Sequence, residues 1–109
     1  MTIYHLAESP HWAAAQQSGS YDQSTRGRTL AEEGFIHCST AQQWPAVRRR
    51  FYADVTKPLL LLEIDEDLLP APPVREVGNP ETGEVFPHLY APLPVSAVVT
   101  VTELAPPHG

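Results

Sequence analysis

Twelve prolines interrupt 109 residues, roughly twice the usual share. Each one fixes φ and removes a backbone donor. Such a chain is built from short elements joined by many fixed turns. Hydrophobic residues still make up 42% and charged residues 18%, so a packed core is attainable and wholesale disorder is excluded. The length suits one compact domain, placed at residues 1–105, with 106–109 expected as a frayed tail.

Seven basic against thirteen acidic residues leave a net charge of −6, which argues against an extended nucleic-acid-binding surface. Cys38 is the single cysteine, so neither an internal disulfide nor a cysteine-based zinc finger can form. No run approaches the roughly 20 apolar residues needed to cross a bilayer, and the start MTIYHLAESP lacks the pattern of a signal peptide. A cytoplasmic protein without membrane contact is expected. Nothing in the pattern fixes its oligomeric state.

Local patterns give an order of elements. Residues 2–7 read as a first strand. Ser9 and Pro10 then open a helix over 10–18, ended by Gly19. Residues 20–32 have no clean period and read as a polar loop carrying Arg26 and Arg28. Gly34 to Ser39 reads as a second strand. Ser39 or Thr40 with Gln42 or Gln43 suggests a capping box opening a second helix, with Pro45 in its first turn and Trp44, Val47 and Phe51 as an inward stripe. The run Leu59-Leu60-Leu61-Leu62-Glu63-Ile64-Asp65 predicts a central strand covered on both faces. Beyond it lie a short strand at Val74–Val77, a turn at 78–83, and an extended segment at 85–90 that Pro87 restricts to an edge or bulge. The last strand, 95–103, draws core from Val98, Val99 and Val101. The fold class is α+β, mainly antiparallel toward the C-terminus.

Chemistry concentrates in three histidines within strand-like segments, His5, His37 and His88. A neutral imidazole donates from one nitrogen, accepts at the other and titrates near physiological pH. The period of two puts Phe35, His37 and Ser39 on one face of their strand and Ile36 and Cys38 on the other. If the first two strands are close, His5, His37 and Ser39 line one pocket. Each histidine reads equally as a satisfied structural residue. A histidine metal site with Glu76 is the weaker alternative, because neither HxxxH nor HxH spacing occurs, and no metal is expected. Glu76 either polarises a hydroxyl or pairs with a neighbouring cation. Arg48, Arg49 and Arg50 read as a solvated helix face. Cys38 reads as a small core residue.

Four segments together, Ile3–Leu6, Glu33–Ser39 (EGFIHCS), Leu61–Asp65 and Phe86–Tyr90 (FPHLY), resemble the bacterial domain-of-unknown-function family 952 over roughly residues 2–104. Ala91 departs from the glycine usual after the tyrosine. The resemblance implies a compact split β-sheet with two N-terminal helices, similar to the ADP-ribosyltransferases and the NAD-dependent RNA 2′-phosphotransferases. It would put His5 in the first-strand role and His37 with Ser39 in the second. Glu76 or His88 would fill the late polar position, and Tyr90 would join His5, His37 and Ser39 around the nucleotide. The implied activity is a transferase using NAD or an ADP-ribosylated substrate. The alternative is a non-catalytic domain of the same fold that binds a nucleotide-like or anionic metabolite.

Overall fold

The computed structural model describes residues 1–109 and shows an α+β protein with three small antiparallel sheets and three helices. The first sheet has the order β1-β4-β8, from Thr2–Glu8, Leu59–Asp65 and Val98–Leu104. β4 is central, as its unbroken apolar run predicts. Its side chains divide by the period of two. Leu62 and Ile64 enter the larger core cluster, whereas Leu59 and Leu61 enter a second one on the opposite face. β1 pairs with it antiparallel over its full length, from Thr2 opposite Asp65 to Glu8 opposite Leu59. Ile3 and Ala7 thus join the first core and Leu6 the second.

Helix α1 (Ser9–Ser18) packs Trp12 and Ala15 into the larger core, and Gly19 ends it in the left-handed region at φ 87°. Its N-cap is Glu8 rather than Ser9, with Pro10 inside the first turn as its fixed φ requires. Helix α3 (Trp44–Tyr52) accepts Pro45 in the same way. The Gln43 side chain accepts from the Thr40 amide at 3.0 Å, which is half of the expected capping box. The inward stripe needs one correction. Trp44 and Val47 pack against the second core, but Tyr52 is the buried aromatic and Phe51 is 39% exposed. With Tyr52 facing β1 and β4, its neighbour is rotated by about 100° around the helix.

Five expectations fail for identifiable reasons. The loop at 20–32 contains a two-residue strand β2 (Ser20–Tyr21), which pairs with β7 (Leu93–Pro94), and leads into a helical turn α2 (Leu30–Glu33). A full capping box between Thr29 and Glu32 forms that turn, and the sequence carries its T-x-x-E signature. The single split sheet with two helices is therefore three sheets with three helices. Val99 and Val101 stay exposed because β8 is an edge strand, exposed on both faces from Val99 to Glu103. Pro87 lies in β6 (Glu84–Leu89), the middle strand of the third sheet, between β3 (Ile36–His37) and β5 (Val74–Asn79). The Pro87 carbonyl accepts from Cys38 on the β3 side, so the missing donor falls where β3 pairing has already ended. Finally, residues 106–109 are not simply frayed. His108 is buried, accepts from Arg48 Nε at 2.9 Å and donates to the Lys57 carbonyl at 2.8 Å.

Candidate functional site

The third sheet creates the site. In its register His37 lies opposite His88, and Glu76 lies opposite Phe86. Side chains of alternate residues share a face, so Phe35 and His37, then Phe86, His88 and Tyr90, then Glu76 and Gly78 all project to one side. Glu76 and His88 are diagonal cross-strand neighbours, within reach of long side chains. The pairing of three short strands thus gathers groups that are up to 55 residues apart in the chain, Phe35 to Tyr90.

The contacts form a line. His88 Nδ1 lies 2.7 Å from Glu76 Oε1. A carboxylate only accepts, so this nitrogen carries a proton. His88 Nε2 faces His37 Nδ1 at 3.4 Å, longer than an ordinary hydrogen bond and of the kind that ligand binding tightens. In the tautomer of His37 that donates from Nδ1 to His88, its Nε2 is an acceptor. Tyr90 also donates its hydroxyl to Glu76 Oε1. Phe35 stacks on the buried His88 ring, with centroids 4.0 Å apart and planes 16° from parallel. This packing fixes the imidazole, while Phe86 lies tilted against His37 at 4.8 Å.

Charge follows these contacts. The Tyr90 hydroxyl, and after it the His88 ring, hold the Glu76 carboxyl below the usual carboxylate range. Burial pushes His37 down to about 4, with His88 and His5 adding smaller contributions in the same direction. At neutral pH the line therefore begins at an ionised carboxylate and ends at a neutral His37. It opens onto a cleft of about 530 Å³, whose walls include Phe35, His37, Phe51, Glu76, His88 and Tyr90. Arg28 and Glu33, paired at 3.2 Å, stand on the same wall.

His5 and Ser39 are elsewhere. His5 shares the β1 face of Ile3 and Ala7, which looks into the larger core, and is itself 3% exposed. Its Nδ1 donates to the His37 carbonyl at 2.7 Å, and Nε2 accepts from the Tyr21 hydroxyl at 2.9 Å. Both nitrogens are used. Ser39 is equally buried and bridges its backbone to Tyr4. The hollow touching His5, His37 and Ser39 together is about 10 Å³, room for a water molecule and not for a nucleotide. The pocket expected from those three residues is thus corrected to one made by His37, Glu76, His88 and Tyr90. His5 supports it from beneath through the His37 backbone. Phe35, Phe51 and Gly78 went unassigned. Only the alternation of Phe35 with His37 signalled any of them in the sequence. Cys38 is a buried core residue whose thiol burial pushes upward in pKa. No three His, Cys, Asp or Glu side chains gather as a metal site. No helix is long and apolar enough to cross a membrane.

Comparison with known proteins agrees with this architecture. No curated protein matches the chain. It is similar to the crystal structure of protein CC0527 from Caulobacter crescentus, with 27% identity and a TM-score of 0.80 over 94% of this chain and 85% of that one. The crystal structure of a double mutant of the same protein gives 26% identity and a TM-score of 0.79, with the same coverage. Its solution NMR structure gives 27% and 0.72, covering 95% of this chain and 84% of that one. The model of the family described as "Protein of unknown function (DUF952)" matches residues 6–101, and the chain belongs to that family.

Proposed function

We propose that the cleft beside Glu76, His88 and His37 is an acid–base site acting on a nucleotide-type ligand, with NAD or an ADP-ribose derivative as the ligand class. The observation that carries this reading is the carboxylate–imidazole–imidazole line ending at a cleft of about 530 Å³. Glu76 Oε1 takes both protein donors, while Oε2 has none and is left for a ligand hydroxyl. The ionised carboxylate also suits positive charge developing on a ribose carbon, where fixed charge is most effective. His37 Nε2 accepts the proton of an incoming hydroxyl. The Nδ1–H of the resulting imidazolium donates to His88 Nε2, and the Glu76 negative charge, accepting from His88 Nδ1–H, stabilises it through that ring. Phe35 and Tyr90 offer aromatic surface to a base.

Calorimetry with NAD and ADP-ribose tests this reading. Binding is expected in the parent protein, with NAD consumption abolished in Glu76→Gln and His37→Ala. Absence of heat with both ligands would overturn it. One feature favours a second reading, a binding domain without turnover. A His37 held down to about 4 is a weak base. Binding with no NAD consumption in the parent protein would decide for that alternative.

A further inference from the structure

A second hollow of about 240 Å³ adjoins the cleft and shares His37, Phe51 and Gly78 with it. These three residues come from β3, α3 and β5, so the two hollows meet at a neck with Phe51 on one side, Gly78 on the other and His37 between them. Gly78 cannot carry a larger residue without rearrangement, since a Cβ there would lie 2.6 Å from the Phe86 ring. The neck is therefore kept bare on the β5 side by packing on its own sheet.

The second hollow has its own chemistry. Arg50 lines it, with its guanidinium 5.5 Å from the Phe51 ring centroid. Four other arginines are committed, and Arg49, also without a partner, does not line the hollow. Arg26, Arg28 and Arg75 pair with Asp54, Glu33 and Glu66, and Arg48 is held by His108 and the Ala105 carbonyl. Arg50 has no carboxylate or carbonyl partner, yet the aromatic ring beneath it orients the fork. Asn79, Glu81 and Glu84 also line the hollow and offer acceptors for hydroxyl groups, with Glu84 also accepting from the Gln43 side chain. A cation together with hydroxyl acceptors matches a sugar phosphate.

We infer that the ligand is two-headed and crosses the neck over His37, with a base-bearing head in the larger cleft and a sugar-phosphate head held by Arg50 in the second hollow. This rests on the proposed function and makes Arg50 a specificity-determining residue. The ligand's reacting centre then sits at the neck, against the free nitrogen of His37.

Calorimetry with NAD and with nicotinamide riboside tests the inference, because the two share one head and differ in the phosphate-bearing remainder. Two variants act on the second hollow alone. Arg50→Gln removes the charge, and Ala46→Phe fills the space from an exposed position on α3. Thermal unfolding verifies that both stay folded. Each variant is expected to weaken NAD about tenfold or more and to leave nicotinamide riboside unchanged, as loss of a charge-assisted contact implies. If Ala46→Phe leaves NAD affinity intact, or if both ligands weaken equally, the two-headed assignment is wrong while the cleft reading stands. If neither ligand binds the parent protein, both are wrong.

Discussion

Acidification should destabilise this protein through a histidine that takes no part in the cleft. Burial pushes His5 from 6.5 down to about 4. The unfolded chain takes up a proton at this residue below about pH 6.5, whereas the folded chain refuses it until about pH 4. Stability is thus flat above that window and falls as pH drops through it. Each pH unit inside the window is worth about 1.4 kcal/mol for one proton. His5 alone removes about 2 kcal/mol by pH 5 and about 3 kcal/mol by pH 4. His37, also held down to about 4, contributes in the same direction. The perturbation is His5→Gln, which cannot titrate and keeps one amide to hydrogen-bond. It should cost about 1–3 kcal/mol at neutral pH, because either the Tyr21 hydroxyl or the His37 carbonyl loses its partner. Urea unfolding midpoints measured from pH 7.5 to 5 report both quantities, and stopping at pH 5 limits the contribution of carboxylates. The variant should start lower and lose distinctly less stability on acidification than the parent. Equal slopes for the two proteins would refute the claim that His5 is sealed and neutral.

Two further expectations concern the supports of the fold. His108→Ala removes the acceptor of Arg48 and the donor to the Lys57 carbonyl, and should lower stability by about 1–2 kcal/mol in denaturant titration; an unchanged midpoint would mean that the C-terminal segment is not docked in solution. Thr29→Ala breaks the capping box of α2 and should cost about 1 kcal/mol, with faster amide exchange at Glu32 and Glu33 beside the cleft wall; unaltered exchange there would argue against the cap.

The line from Glu76 to His37 exists because β3 is so short. Two residues suffice to set His37 opposite His88, and a shift by one residue would turn His37 into the core and Ile36 into the cleft. The apolar Ile36 and Cys38 hold the register, since both are fully buried. A packing requirement on one face of this strand therefore positions the chemistry on the other. Phe35 extends the same logic, as its ring clamps His88 from the cleft side.

Local rules already contained much of the architecture. The apolar run at 59–65 had to be central, Gly19 had to end α1, and alternation alone put Phe35 and His37 on one face, because each depends on neighbours within a few residues. His37 and His88, with Glu76 as a candidate partner, stand out in the sequence for the same reason: an imidazole in an extended segment is chemically versatile. What separated the histidines at the cleft from the sealed one was long-range pairing. His5 alternates like a pocket residue, but its face of β1 is turned toward Tyr21 and the core once β4 lies beside it. Phe51 and Gly78 join the cleft only when β5 and α3 meet around His37, and Tyr90, expected there from the resemblance, reaches Glu76 through the pairing of β5 with β6. Sequence periodicity tells which side chains share a face; only the assembled sheets decide whether that face meets solvent, a cleft or the packed interior.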